Sequence, residues 1–534
     1  MRYLKTYRAY LKSITTKTDI SLLFIALITL YSLAYFSLDQ FRNILHCTMD
    51  DAYYYFKIAY NVSIGGHFTF DTINKTNGFQ ALWLFILIPI FLLKYNFETT
   101  IRLVLCCQTI LMAFSAVLLI KTLRRYFPQA VTLGVLIVFV FNIYFQSLTG
   151  METPITLLVI FLILNYFISN DGFHNLSNQN IFFIGLLFSF LTLARLDTFA
   201  FFLSFILSFF IYNYINISKV KTIFLKIIFL SLSFSILLIP YISWNIMAFG
   251  ELIPISAQLK SSFPKFTLNS PFILLTEFNK INLVLSIFCA LVYVVWFATR
   301  INRMSKSDHL GALDWSIFIL SLGSILHFTF YLLFARWGIF NWHYMIYRIH
   351  IVFISAFILN YLYQHFNKFF TYSLLVILFV TGMFWLINRN YFPNFETTFE
   401  YQAYKTAMWA KITTPKETRF AMSDCGIFGF FSERATINLD GLANNIEFQD
   451  VLKKKKLNSY LGKNKVQFIV HHSKHDLYKS YQSSNFIYKK YYPSHLWGTL
   501  SDPIFLKSKN EVYRSQLYLD NYYYTSFSIW KFER

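Results

Sequence analysis

Charge is scarce in this chain, and acid is scarcer than base. Only 14% of the 534 residues are Asp, Glu, Lys or Arg, and 26 acids face 47 bases, a balance of +21. With 56% hydrophobic residues arranged in long blocks, so few charges cannot cover a water-soluble surface, and the bilayer must be the main solvent. Glycine is sparse, at 17 residues, and none of it forms a phosphate-cradling loop; no Arg-rich stripe marks a soluble helix either. Nucleotide and nucleic-acid binding are therefore set aside, and the basic excess is read as Lys and Arg anchoring loops to anionic headgroups. Cysteine is limited to Cys47, Cys106, Cys107, Cys289 and Cys425, without C-x-x-C spacing, which excludes a disulfide or zinc framework. Cys47 and Cys425 could meet on one face, but leftover cysteines are expected simply to pack.

What is present is a series of near-spanning apolar blocks. They fall at about 20 to 37, 100 to 120, 130 to 147, 153 to 168, 180 to 194, 198 to 214, 223 to 243, 281 to 298, 314 to 334, 348 to 363 and 370 to 388. The block from Ala81 to Leu93 is too short to cross and reads as an interfacial or re-entrant helix. Arg2, Lys5, Arg8, Lys12 and Lys17 precede the first block without a small-residue cleavage site, so an uncleaved first span is expected. With the N-terminus inside, four of the five inner connections are basic: Lys121 to Arg125, Lys219 to Lys226, Arg300 to Lys306 and the turn at Lys368, the fifth being Asn170 to Asn180. Eleven spans put the chain from Arg389 onward outside.

The expected fold is an α-helical polytopic membrane protein with a C-terminal soluble α/β domain. Residues 1–388 form the membrane domain, with a first outer loop at 38–99, and residues 389–534 form the extracytoplasmic domain. In that tail, Arg419 to Phe431 and Val466 to His471 read as β-type runs, Phe448 to Leu461 as helix, and Lys453 to Lys456 as a solvated helix face.

Chemistry-bearing residues gather in the predicted outer loops. Met49-Asp50-Asp51-Ala52-Tyr53 places two adjacent carboxylates just after the first span, near Lys57. A carboxylate at an apolar boundary can act as general base toward a hydroxyl, and its neighbour can raise its basicity or help bind a cation. The same side holds Asn77 and Trp83, then Glu152, then Arg195 and Asp197, then Glu251 and Lys260, and last His343 and Arg348. Ionisable residues at span ends are costly unless paired or facing a cavity, so these positions point to a site, although Arg195 and Asp197 could equally bridge two helices. Carboxylates set among several cations suit transfer from an anionic lipid carrier, whose leaving phosphate needs stabilising.

The order of these motifs resembles the polytopic, lipid-carrier-dependent (GT-C type) glycosyltransferases, and within them the bacterial arabinofuranosyltransferase-like and mannosyltransferase-like branch. The residues that carry the resemblance are Asp50-Asp51-Ala52-Tyr53 with Asn61, Gly65 and Thr76-Asn77-Gly78-Phe79-Gln80-Ala81-Leu82-Trp83. Gly150-Met151-Glu152-Thr153, Arg195-Leu196-Asp197, and Phe249-Gly250-Glu251-Leu252-Ile253-Pro254 with Lys260 follow. Asp424-Cys425-Gly426-Ile427-Phe428-Gly429 and Asp440-Gly441-Leu442 complete the series in the tail. Leu196 stands where the family has Pro, and Lys57 where Arg is common.

The resemblance implies an inverting transferase of the bacterial inner membrane that moves a hexose or pentose from a polyprenyl-phosphate donor to an envelope glycan, lipid or protein acceptor. Asp50, with Asp51, would be the catalytic carboxylate. Lys57, Arg195, Lys260, His343 and Arg348 would hold the donor phosphate, and Tyr53, Asn77, Trp83, Glu152, Asp197 and Glu251 would line the pocket. Asp50, Asp51 and Glu152 could hold a divalent cation, Mg or Mn. A transporter or flippase of a lipid-linked glycan is the alternative, but it should carry its ionisable groups near the membrane midplane.

Overall fold

Long apolar segments with satisfied internal hydrogen bonds become helices in lipid, and this chain is mostly helix. The computed structural model describes residues 19–216, 220–266, 280–303, 310–336, 340–391, 395–474, 486–488, 502, 504–520 and 523–532. The basic stretch Arg2 to Lys17 and parts of the connections at Lys219 and Arg303 to Lys306 lie outside them. Among the described residues, nine helices are long and apolar enough to cross a membrane: Ile20–Leu38, Phe97–Leu123, Gln129–Ser147, Leu196–Ile215, Lys221–Phe249, Leu283–Ile301, Ala312–Phe334, Trp342–His365 and Phe369–Asn388.

The other two expected spans, Thr153–Ser169 and Asn178–Ala194, are 17-residue helices, about 26 Å long and so short of full membrane thickness. They nevertheless run from one end of the bundle to the other. Glu152 and Arg195 face each other at one end, 3.7 Å apart. At the opposite end Arg125 donates to Ser169 (2.8 Å), Lys226 donates to the Leu176 carbonyl (2.9 Å), and Arg124 pairs with Asp19. The helix Ala81–Leu92 has 12 residues, about 18 Å and too short for a full crossing.

The tail folds as an α/β domain around a mixed sheet. Its strands run in the order Ala435–Asn438, Arg419–Met422, Phe468–Lys474, Tyr523–Lys531, Glu511–Arg514, with Tyr518–Asp520 also paired to Tyr523–Lys531. The first three are parallel and the rest antiparallel. Two local expectations change. Arg419 to Phe431 is strand only over its first four residues, after which Gly426–Phe431 turns into helix. The expected helix Phe448 to Leu461 is two, Ile446–Lys453 and Leu457–Lys463, because Lys455 takes a left-handed φ of 53° that a helix cannot continue through. Lys453 to Lys456 are solvent-exposed, as a solvated face requires.

Candidate active site

The helix Asp50–Ser63 is the hinge of the site. Its two acids lie in the first turn, where the helix dipole favours negative charge. Successive residues are turned by about 100°, so Asp50 and Asp51 point to different neighbours. Asp50 is clasped by the tail: the Gly426 and Ile427 amides donate to its two carboxylate oxygens at 3.0 and 2.8 Å. One turn on, the Tyr54 hydroxyl accepts from the Cys425 amide (3.0 Å) and the Asn438 side chain (3.1 Å). Only glycine fits at 426, since a Cβ there would stand 2.0 Å from the Asp50 carbonyl oxygen. Gly78 meets the tail in the same manner, 1.9 Å from the Leu442 carbonyl oxygen, beside a Thr76 hydroxyl that donates to Asn444 (2.6 Å). Cys425 is buried here, and among the described residues no disulfide joins it to Cys47 or to another cysteine.

Asp51 faces the other way, into a cavity of about 1260 Å³. Solvent reaches a quarter of its side chain, and Lys260 Nζ lies 3.9 Å away. Burial pushes the Asp51 carboxyl above the ordinary carboxylate range, with Lys260 opposing and Asp424 adding to the shift. Asp50 is also raised by burial, against the pull of the tail amides. Lys260 ends the short helix Ile255–Lys260, and its strand-like continuation is fixed by Ser262 N donating to the Phe334 carbonyl (2.7 Å) and Arg336 N to the Lys260 carbonyl (2.9 Å).

The cavity floor is a buried ionic network. Arg195 makes a two-pronged contact with Asp197 (3.1 and 2.5 Å), donates to the Trp342 carbonyl (2.6 Å) and lies 3.7 Å from Glu152. Tyr331 donates to Asp197 (2.5 Å), His327 Nε2 sits 3.2 Å from it, and Tyr55 donates to Glu152 (3.3 Å). Arg195 and Asp197 therefore bridge helices and also line the cavity. Above this floor the wall is apolar, with Phe199, Leu203, Phe234, Leu238, Ile239, Ile242 and Phe330 contributed by three spans. Leu203 and Ile239 of this wall are exposed.

Of the residues expected at the site, Asp51, Glu152, Arg195, Asp197, Glu251, Lys260 and His343 line this one cavity. The others are placed elsewhere, each for a visible reason. Tyr53 is buried, with its hydroxyl on Thr48 and its ring against Phe430 and Phe431. Trp83 is buried and donates to the Gly150 carbonyl (3.0 Å). Asn77 ties the first loop to the later one through Asn245 and the Ile255 amide. Arg348 is buried against the π-helical turn Val140–Tyr144, donating to the Asn142 carbonyl (2.9 Å) and Gln146 (2.5 Å), a local irregularity whose loosened backbone needs such a donor. Lys57 lies on the far side of its helix.

Both Asp50 oxygens take tail amides and Glu152 is engaged by Tyr55 and Arg195. Among the described residues no group of three or more His, Cys, Asp or Glu is assembled for an ion. Sequence reasoning missed His327 and Tyr331. The available signal was their i, i+4 spacing, one polar face inside the apolar helix Ala312–Phe334. It also passed over Gln80, whose side chain accepts from the Leu196 amide (3.2 Å), and the cavity-lining Lys265 and Arg336.

Bundle, tail and cavity together define a polytopic membrane protein of GT-C-like fold. The likeness is to the archaeal oligosaccharyltransferase AglB from Archaeoglobus fulgidus in complex with an inhibitory peptide and a dolichol-phosphate, with 12% identity, a TM-score of 0.52, and coverage of 91% of this chain and 74% of that one. The apo form of the Archaeoglobus fulgidus enzyme gives 12% identity and a TM-score of 0.51, covering 92% and 76%. These neighbours are oligosaccharyltransferases rather than members of the branch that the motif order resembles. Residues 393–518 match a family described as a domain of unknown function (DUF8728). No curated protein matches the sequence.

Proposed function

We propose that this protein is a membrane glycosyltransferase that moves a sugar from a polyprenyl-phosphate carrier to a glycan, lipid or protein acceptor. The observation that carries this reading is the two-part cavity, with an apolar wall beside a polar end that presents one solvent-reachable carboxylate and a neighbouring ammonium. A prenyl chain suits the wall and a phosphate-linked sugar suits the polar end. The dolichol-phosphate held by the structurally similar AglB is consistent with such a donor.

In this reading Asp51 takes the proton from the acceptor hydroxyl, and the oxygen attacks the anomeric carbon. The bond to phosphate breaks on the opposite face, with inversion. Lys260 stabilises the charge of the departing phosphate, while Arg195 is held by Asp197 and Glu152 and serves to shape the floor. Displacement of Lys260 from Asp51 toward the phosphate would leave the carboxylate more basic at the moment of attack. Asp50 fixes the tail rather than meeting substrate, and no step is assigned to a divalent cation. Basic connections gathered at the end away from the tail support a cytoplasmic N-terminus and an extracytoplasmic tail, in a bacterial inner membrane.

Purified protein in nanodiscs, given labelled polyprenyl-phosphate sugars and candidate acceptors, should release polyprenyl phosphate and glycosylated product. Movement of intact labelled lipid between leaflets of proteoliposomes, with no transfer, would instead establish the transporter reading.

A further inference from the structure

Two side chains of the large cavity share an arrangement that the proposed chemistry leaves unused. Gln80 and His343 both line it, and each has its hydrogen-bond acceptor taken by a backbone amide. The Leu196 amide donates to Gln80 Oε1 (3.2 Å), and the Phe340 amide donates to His343 Nδ1 (3.0 Å). An amide N–H can only donate, so these contacts settle which way each side chain faces. The Gln80 carboxamide must turn its Nε2 away from Leu196. The His343 ring accepts at Nδ1, so it is neutral and carries its hydrogen on Nε2.

Neither Nε2 donates to another group among the described residues, and neither is sealed inside the protein. Both belong to one corner of the floor. Gln80 sits on Leu196, and His343 follows Trp342, whose carbonyl accepts from Arg195 (2.6 Å). The corner is held from behind, because Gln80 N donates to the Tyr55 hydroxyl (3.4 Å), which donates in turn to Glu152 (3.3 Å). The three guanidinium nitrogens of Arg195 are all engaged, by Asp197 and the Trp342 carbonyl. What this corner offers a ligand is therefore a pair of uncharged N–H donors in fixed orientation.

Uncharged donors suit uncharged acceptors. A phosphate draws on a full positive charge, which Lys260 supplies beside Asp51. The neutral oxygens of a sugar match a carboxamide and an imidazole N–H instead. On the glycosyltransferase reading, we propose that Gln80 and His343 select the transferred sugar, donating to its hydroxyl or acetamido carbonyl oxygens while Lys260 meets the phosphate. A sugar without an oxygen at either point leaves a donor unpaired inside the cavity, and the site discriminates against it.

Equilibrium binding to the full chain in nanodiscs tests this. The probes are polyprenyl phosphate alone and polyprenyl-phosphate glucose, galactose, mannose, N-acetylglucosamine and arabinose. The wild type should bind one of the sugar-bearing lipids roughly tenfold or more tightly than polyprenyl phosphate. Gln80→Met, which keeps length but has no N–H, and His343→Phe should each cut that preference at least about fivefold, the cost of one unpaired donor. Binding of polyprenyl phosphate itself should stay within about twofold, and His343→Gln, which keeps an N–H donor, should recover the preference. Thermal melting checks folding, and Gln80→Met decides the question if His343→Phe does not fold. An undiminished preference in Gln80→Met would overturn the proposal, as would a wild type that prefers no sugar-bearing lipid. So would an equal loss of polyprenyl phosphate binding, which would make these phosphate ligands. Transfer is scored separately. Sugar-dependent binding through Gln80 and His343 without transfer would defeat the glycosyltransferase reading alone, and transfer with an undiminished preference in Gln80→Met would defeat this assignment alone.

Discussion

Asp50 and Asp51 are neighbours in sequence and belong to different regions of the molecule. Asp50 faces the tail, where two backbone amides take both its oxygens. Asp51 faces the large cavity, with solvent access and a lysine at 3.9 Å. The same contrast runs one turn along the helix: Tyr54 is bonded to Cys425 and Asn438 of the tail, and Tyr55 to Glu152 of the cavity floor. Two identical carboxylates thus meet different surroundings, and under the proposed function take an assembly role and a chemical role, from a rotation of about 100°. An acidic pair read from sequence is one motif; in three dimensions it is the boundary between a docking surface and a candidate reaction centre.

The sharpest way to break this contrast is Asp51→Asn. If Asp51 is the general base, sugar transfer should fall by about a hundred- to ten-thousand-fold while the melting temperature stays within a degree or two, because the substitution keeps shape and leaves the tail clasp intact. A purely structural Asp51 would show the reverse.

Next in size is Gly426→Ala. Its Cβ would meet the Asp50 carbonyl oxygen at 2.0 Å, a contact that a flexible side-chain end cannot relieve, so the tail should lift from the membrane domain. Limited proteolysis should then release the tail far faster than in the wild type.

Asp50→Asn should be milder. A carboxamide has one acceptor oxygen for two amides, and leaving one amide unpaired costs about 1–3 kcal/mol, readable as a lower melting temperature of the tail. The pH dependence has a definite sign. Burial raises the folded-state Asp50 pKa, so the folded state holds the proton more tightly than the unfolded chain. Its contribution to stability is full below the ordinary carboxylate range and is lost as pH rises through the raised value. Asp50→Asn should remove that slope.

The smallest effect is expected from Lys260→Gln on the pH–rate profile. Lys260 holds the Asp51 pKa down against burial, so its removal should move the ascending limb of the profile to higher pH. An unmoved limb would separate Lys260 from the titrating base.

Much of the fold was legible because hydropathy dictates it. The block from Ala81 to Leu93 read as short, and its helix Ala81–Leu92 has only 12 residues; the tail changes composition where the bundle ends. The site was legible as a set of residues but not as a set of partners. A buried polar group announces its cost in the sequence, whereas the group that offsets it is usually distant: Arg348 finds Asn142 and Gln146, Trp83 finds Gly150, and Asn77 finds Asn245. Those contacts make them supports rather than pocket groups. His327 and Tyr331 were hidden for the opposite reason, as single polar residues inside an apolar run. The aromatic stretch after Met422 has strand propensity, but Asp50 caps the Gly426 and Ile427 amides and a tertiary contact decides for helix.

The central claim is a division of labour between adjacent carboxylates, and its most direct test is single-turnover transfer with saturating polyprenyl-phosphate sugar, measured alongside thermal melting for Asp50→Asn and Asp51→Asn. The account predicts that Asp51→Asn lowers transfer by at least about a hundredfold in a protein that melts like the wild type, and that Asp50→Asn melts lower while its folded fraction still transfers. Near wild-type transfer by Asp51→Asn, with loss of transfer in a normally melting Asp50→Asn, would contradict it.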